Sequence, residues 1–440
     1  MSAPLPYAGL RVLDLSQGIA GPYCAALLAQ QGADVIKVEP PGGDWIRNAG
    51  GGRDGMTPLA IAGNLGKRSI VVDAQKPAGR DLILRMAVSA DVVIENNRPG
   101  VIERLGLGYE AIAAGNLGKR SIVVDAQKPA GRDLVLRMAA RADVVVENNR
   151  PGVIERLGLG YEAIAADNPA VVYVSITGFG PDGPDAQKAG TDSILQSLTG
   201  MAHRNRDPDG TPRRMPLLIP DTVTAVYAAQ AVGAALYARS RDGQGRHVRL
   251  SLLESAAAFQ AAQIVENRIF QGSAPPPNTV PAGVFRTEDG HISLSAVTEG
   301  HFRAAMRVLG LEAWIDDPRF AHPAERKKHA AFVNEEVGRR LAERSTAHWV
   351  DKLAAADALF AEIADYPAFV ASPQARHLGA FAALEQPPYG ELPVARMPGA
   401  ERAWPLRPAP RAGEHNDEIL RELGLEPAPI DELRRAGVVE

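Results

Sequence analysis

Apolar residues in the first part of the chain fall in short runs rather than long stripes. Leu10–Leu15 (LRVLDL) and Asp34–Glu39 (DVIKVE) are two such runs. Between them, Gly21-Pro22 opens a stretch to about Gln30 with helical spacing. Pro at an early helical position sacrifices no hydrogen bond. A short apolar run, a helix and a second run predict a parallel β-α-β unit. The alternation continues with SIVVD, then the helical PAGRDLILRMA, then DVVIEN, then a helix opening at Pro99 or Pro151, and a strand at Val171–Ile176. Strands alternating with helices predict an α/β fold, a doubly wound parallel sheet.

Beyond that strand the pattern loosens. GFGPDGPDAQKAG is too rich in Gly and Pro to be regular, and Ile194–Met201 reads as helical. Asp221 precedes TVTAVYAAQAVGAALYA, which is apolar on nearly every face and is therefore expected to be a core helix. GRHVRLSLLE reads as a strand turning into a helix. The Pro-rich stretch 272–283 is the candidate linker. After it, VFRTEDGHISLSAV predicts two strands joined at Asp289-Gly290, helices follow to about 360, and two short helices close the chain. The expected organisation is a large α/β domain over 1–271, the linker 272–283, a smaller α+β domain over 284–395, and a C-terminal segment 396–440 returning to the large domain.

The chain also copies itself. Residues 63–114 and 115–166 agree at every position but four: Ile83 against Val135, Val88 against Ala140, Ser89 against Arg141, and Ile94 against Val146. Only two copies exist, so this is a tandem duplication rather than a solenoid. A parallel sheet needs one such unit between Glu39 and Val171. The second copy is tied to the following strand by a short connection, whereas the first hangs from the Gly-rich stretch Gly42–Gly55. Copy two is therefore expected to fill the sheet, and copy one to be extruded, poorly packed or added at a margin with its apolar strands exposed; the near-identity of the copies also leaves open a hybrid that takes its first strand from one copy and its second from the other.

Composition narrows the function. The 440 residues carry 48 basic and 52 acidic side chains, a net charge of -4, which argues against a nucleic-acid footprint. One cysteine, Cys24, excludes a disulfide framework; it reads as buried filler on an apolar helix face. No apolar run reaches the roughly 20 residues that span a bilayer, and no leader pattern opens the chain, so a cytoplasmic protein without a membrane partner is expected. The nine histidines show no metal-binding spacing, so no metal is expected. The turn Gln17–Pro22 spaces its glycines GxxG rather than GxGxxG, and Pro22 stands where a pyrophosphate would want N–H groups. Glu39 could imitate a ribose-binding acid but reads more simply as a solvated strand end. Glu335 and Glu336 read as a solvated helix face. No phosphate-binding GxxxxGK[ST] loop and no GxSxG elbow is present.

Taken together, GLRVLDLS, GIAGPYCAALLAQQGADVIKVEPPGGD, GKRSIVVD, ADVVVENNRPGVIERLGLGYE, ITGFGPDGP, GQGRHVRLSLLESA and PAPRAGEHNDEILRELG resemble the class III CoA-transferase family, which also includes alpha-methylacyl-CoA racemases and formyl-CoA transferases. The resemblance implies a Rossmann-like large domain, an interlocked homodimer, a coenzyme A thioester as substrate with a free carboxylic acid as acceptor, and no prosthetic group, metal or nicotinamide. The family's nucleophilic aspartate falls on Asp221. Its CoA-contacting stretches fall on Ile19 and Ala20, on Val124, Asp125, Ala126 and Gln127, on Asn148, Asn149, Arg150 and Arg156, and on Ala189 through Asp192. Copy one offers Val72–Gln75, Asn96–Arg98 and Arg104 instead. Two departures stand out. The racemases carry Gly-His-Asp where this chain has Gly190-Thr191-Asp192, and the formyl-CoA transferases carry a glycine run where this chain has APPP.

The residues themselves permit that chemistry. Asp221 reads as the N-cap of its helix, where N–H groups and the positive helix end would keep the carboxylate ionised. Backbone N–H groups of Gly178–Gly190 are placed to hold an oxyanion. Arg150 and Arg156 beside a helix start suit phosphates, although solvated arginines are the plain alternative, as for Lys119-Arg120. Asp192 reads equally as a helix cap or an acid. The expected activity is acyl-CoA:carboxylate CoA transfer through an aspartyl anhydride and an aspartyl-CoA thioester. The alternatives are an acyl-CoA racemase or epimerase, which lacks its second base at Thr191, and a non-catalytic CoA-binding relative disabled by the duplication.

Overall fold

The structure is a computed structural model. It describes Tyr7, 9–14, 16–17, Pro22, 25–26, 28–29, 32–40, 43–48, Thr57, 60–61, Asn64, 66–71, 92–94, 124–271, 277–386, 390–396, Pro398 and 416–436. Ile19, Ala20, Cys24, Val72–Gln75, Asn96–Arg98 and Arg104 lie outside the described residues, as does part of the linker.

The chain is a mixed α/β protein with two parallel sheets. In the first, β1 (Arg11–Asp14) and β2 (Asp34–Glu39) are the two expected apolar runs, flanked by β3 (Arg68–Val71) and β4 (Val92–Ile94) in the order β3-β2-β1-β4. In the second, β5 (Val144–Glu147), β6 (Val172–Thr177) and β7 (Arg246–Ser251) follow one another. Val12, Ala25, Ala33 and Val35 bury the first crossover. On the second sheet, one face carries Val172, Val174, Val248 and Leu250 under Ala235 and Leu236 of the long helix Ile219–Asp242. The opposite face carries Glu147, Ser175, Thr177, His247 and Arg249, as strand alternation requires.

This corrects the expectation for the repeat. Copy one is not extruded: its β3 pairs with β2 (Ile36 opposite Arg68) and its β4 with β1 (Val12 opposite Val92). Copy two does not fill those places: its β5 pairs with β6 (Val144 opposite Val172). Among the described residues, β4 bonds only β1 and β5 bonds only β6. β4 and β5 are the same strand of the two copies, differing at Ile94 and Val146. Fused into one, they would give the single order β3-β2-β1-β4/5-β6-β7, that of a doubly wound sheet. The duplication has cut that sheet at its middle strand and supplied the strand to each half. Chain connectivity favours this division, because each copy pairs with the strands nearest to it along the sequence. The expected exposure is nevertheless found, shared between the copies: Val71 and Val146 are each 60% exposed.

Copy two is anchored elsewhere as well. Its helix Pro129–Ala139 packs Leu134 against Leu420, Leu423 and Ile430 of the C-terminal helices Asn416–Glu422 and Pro427–Arg435. Arg137 donates to the Leu423 carbonyl at 2.8 Å, and Lys128 to that of Ala436 at 2.8 Å. Tyr7, in the turn ahead of β1, rests on Tyr237 near the end of the long helix, ring centres 5.9 Å apart.

The long helix is not buried all round. Pro220, Thr224, Ala228, Ala234, Ala235 and Ala238 face inward, while Thr222, Ala225, Val226, Ala229, Gly233 and Tyr237 form an exposed stripe. Ala and Gly at these positions make the helix slim rather than central.

The second core lies after the linker. β8 (Ala282–Arg286), β9 (His291–Ser295) and β10 (Phe360–Glu362) form an antiparallel sheet, the first two joined by the expected hairpin at Asp289-Gly290. Asp289 ties that turn to Thr346, accepting its N–H at 2.7 Å. Helices over 299–355 bury Phe302, Met306, Val333, Val337, Leu341 and Leu353 against the sheet. Arg326 is buried there, stacked 3.4 Å over Phe302 and paired with both oxygens of Glu299 at 2.9 Å. A hairpin of β11 (Phe381–Gln386) and β12 (Gly390–Ala395) follows.

Deleting 63–114 removes 52 of the 440 residues and leaves 388. One strand must then bond both β1 and β6, and the sheet becomes continuous. The shortened chain is expected to melt at least about 3 °C higher, with stronger amide-exchange protection at Val144–Val146. A lower melting temperature would contradict the split-sheet account.

Candidate functional site

The site grows from the loop that follows β6. Its two ends touch backbone to backbone at Gly178 and Gly190: a Cβ on Gly178 would stand 2.8 Å from the Gly190 Cα. Only glycine allows that approach. The loop thereby closes on itself and delivers Thr191 and Asp192 to the start of the helix Asp192–Leu198.

Asp192 is buried, and both of its carboxylate oxygens are engaged. Oδ1 accepts from the Gln196 side-chain amide at 2.7 Å, one helical turn on. Oδ2 accepts the backbone N–H of Asp221 at 3.2 Å. Asp192 thus caps the long helix from outside that helix. Gln196 also holds the strap 212–218: it donates to the Leu217 carbonyl at 2.8 Å and accepts the Met215 N–H at 2.9 Å. Asp192, Gln196, the strap and Asp221 line an open cleft of ≈ 700 Å³.

Asp221 itself departs from the expected cap position. The helix begins at Ile219 after Leu218, so Asp221 is its third residue. Its carboxylate accepts no hydrogen bond among the described residues, because the N–H groups it would have capped lie behind it. The helix end does not depress its pKa. Partial burial raises it above the usual 3.8, and the neighbouring Asp192 charge raises it further.

Of the remaining predicted residues, those that are described do not converge on that cleft. Asn149 and Arg150 line a separate ≈ 300 Å³ cleft beside Glu147, Ser175, His247 and Arg249. Asn148 is used structurally, donating to the Ile176 carbonyl at 2.7 Å. Arg156 closes the one-turn helix Val153–Arg156, its guanidinium folded towards Gly152. Val124 packs into the Leu134 cluster, and Asp125 through Gln127 form a turn in which Asp125 accepts the Gln127 N–H at 3.0 Å. Ala189 is exposed in the loop.

Sequence reasoning missed three features. Gln196 was legible as a residue one turn after Asp192, but its contact with the strap was not. His247 donates to or accepts from Ser175 Oγ at 2.9 Å; burial, then the Arg249 charge, lowers its pKa, and its Nδ1 is buried without a partner. Glu39, read as solvated, is 2% exposed and clasped by both arms of Arg47 at 2.6 Å, by Ser69 at 2.6 Å and by the Asp44 N–H at 2.9 Å. Burial would raise its pKa, but these donors outweigh it and hold it down at about 2. Beside it, Lys67 reaches Asp14 at 2.8 Å and Lys37 reaches Asp44 at 3.1 Å, a buried ionic cluster around β1–β3.

Against known proteins, the model of CoA-transferase family III matches residues 7–117 and again 112–416, the two matches meeting where the copies join. The chain belongs to this family. It is 33% identical over 95% of its length, and 96% of the relative's, to the succinate–glutarate CoA-transferase of Agrobacterium fabrum. It is 28% identical to the human succinyl-CoA:glutarate CoA-transferase over 99% of this chain and 90% of that one. Among solved structures, a CAIB/BAIF family protein from Brucella suis matches at 27% identity and a TM-score of 0.59, covering 96% of this chain and 100% of that one. The protein is therefore a CoA-transferase enzyme, as its sequence resemblance implied.

Replacing Asp192 by Asn keeps an oxygen for capping and removes the charge that raises the Asp221 pKa. Titrated by carboxyl NMR, Asp221 is expected to reach half-ionisation at lower pH in D192N than in the parent. An unchanged or higher midpoint would show that Asp192 does not govern it.

Proposed function

We propose that the protein transfers coenzyme A from an acyl-CoA thioester to a free carboxylic acid, with Asp221 as the nucleophile. One observation carries the assignment. Asp221 is the carboxylate in the ≈ 700 Å³ cleft with no hydrogen-bond partner among the described residues, whereas both oxygens of Asp192 are engaged.

In this reading a carboxylate oxygen of Asp221 attacks the thioester carbonyl. The C–S bond breaks, giving a mixed anhydride and CoA thiolate. The thiolate attacks the aspartyl carbonyl, releasing the donor acid and leaving an aspartyl-CoA thioester. The acceptor carboxylate attacks that thioester and expels the thiolate again; the thiolate then takes the acceptor acyl group and frees Asp221. The raised pKa suits this role, since a more basic carboxylate is the better nucleophile once ionised. Loop N–H groups between Gly178 and Gly190 would hold the oxyanion.

Arg150 and Asn149 in the neighbouring cleft, with Arg156 close by, supply donors for the phosphates of CoA. Relatives named for succinate, glutarate and citramalate point to dicarboxylic acids. Racemisation is not favoured: the cited relatives are transferases, and Thr191 is no base. The large domain is read as Rossmann-like, split at its middle strand. A homodimer fits the exposed stripe on the long helix, where Val226 is 63% exposed, continued by exposed Ile194, Leu198, Phe259 and Ile264 on neighbouring helices. Monomeric sedimentation at micromolar concentration would refute the dimer.

Asp221→Ala is expected to abolish formation of the new thioester, read by mass after mixing protein, acyl-CoA and free acid, while the fold and CoA binding persist. The side chain caps nothing, so stability should hardly change. Substantial residual turnover in the variant would overturn the assignment.

A further inference from the structure

We infer that Arg214 is the specificity determinant for dicarboxylic acids, holding the distal carboxylate while the other end of the acid reacts at Asp221. The inference rests on the transferase reading and deepens it.

The strap that carries Arg214 is pinned on both sides. The N–H of Arg213 bonds the carbonyls of Ala202 and Asn205 at 3.1 and 3.0 Å, and its own carbonyl accepts from Asn205 at 3.1 Å. Met215 is held by Gln196, its N–H on Oε1 at 2.9 Å. Backbone on either side is therefore fixed, and Arg214 stands between the pins with a defined origin for its side chain.

Charge accounting then singles it out. The cleft holds two carboxylates, Asp192 and Asp221, and its lining includes two cations, Arg213 and Arg214. Arg213 is committed to Asp207, with both guanidinium contacts at 3.3 Å. Arg214 has no hydrogen bond or ion pair among the described residues. A guanidinium without a protein partner among the described residues, in a cleft that holds two carboxylates, is a ready partner for an anion, and its planar fork matches a carboxylate.

An acceptor acid must bring one carboxylate beside Asp221, against the charge already there. A monocarboxylate offers nothing in return. A dicarboxylate offers a second anion, and a cation in the lining of the same cleft converts that added charge from a cost into an anchor. The scale fits: a cleft of ≈ 700 Å³ is wider than one carboxylate needs.

The test uses the full-length protein with one donor thioester and two acceptors of similar length, glutarate and butyrate. For Arg214→Gln, kcat/KM with glutarate is expected to fall about 30-fold, chiefly through KM, as for a lost charged hydrogen bond. With butyrate it should change less than about 3-fold, and CoA affinity by calorimetry should not change. Arg214→Lys should recover part of the glutarate loss, which a merely structural role would not. An equal loss on both acids, a loss of CoA affinity, or a parent enzyme that prefers butyrate would each overturn the inference. Glutarate binding to the resting protein, by saturation-transfer NMR, separates the two levels. Binding that weakens in R214Q supports Arg214 even if no acid is turned over, an outcome that would defeat the transferase reading alone; binding that is absent, or equal in both proteins, defeats the role of Arg214.

Discussion

A strand inside a parallel sheet has two hydrogen-bonding edges, and here the strand that should use both exists twice. Val92–Ile94 bonds β1, and Val144–Glu147 bonds β6. Neither copy spans the gap, so one sheet has become two. Each half nevertheless keeps what its own residues encode. The first retains the buried cluster of Glu39, Arg47, Lys37, Asp14 and Lys67. The second retains the closed loop after β6 and the long helix that carries Asp221. The duplication divides the scaffold between these two features rather than through either of them.

Within the second half, the chemistry depends on which group caps which helix. Asp192 supplies its oxygen to the Asp221 N–H, so the long helix is satisfied without using the Asp221 side chain. A carboxylate left without hydrogen bonds, partly buried and next to a second negative charge is more basic than an ordinary aspartate. The same arrangement that denies Asp221 the comfort of a cap fits the nucleophilic role proposed for it. Gln196 links this pair to the strap 212–218, and so joins the proposed nucleophile to the strap that carries Arg214.

Much of this was legible in the chain. Short apolar runs gave the strands, Asp289-Gly290 gave the hairpin, and the motif set gave the family. The failures were those of context. Asp221 sits inside the first turn of its helix rather than at the cap because Ile219 and Pro220 already adopt helical geometry, which no cap preference reveals. Glu39 looked solvated because its partner, Arg47, follows an intervening turn rather than the strand. The repeat misled most: near-identity between copies made them seem interchangeable, whereas pairing is settled by which strand lies nearest along the chain.

The central claim is that Asp221 carries the acyl group and then coenzyme A. It is tested most directly by trapping. The enzyme is mixed with an acyl-CoA substrate, quenched during turnover, digested and analysed by mass spectrometry, with and without borohydride. The account predicts a CoA adduct on the peptide containing Asp221 and, after borohydride, reduction of that aspartyl group to an alcohol at the same residue. An adduct on another residue, or active turnover with Asp221 unmodified under all quench times, would contradict it.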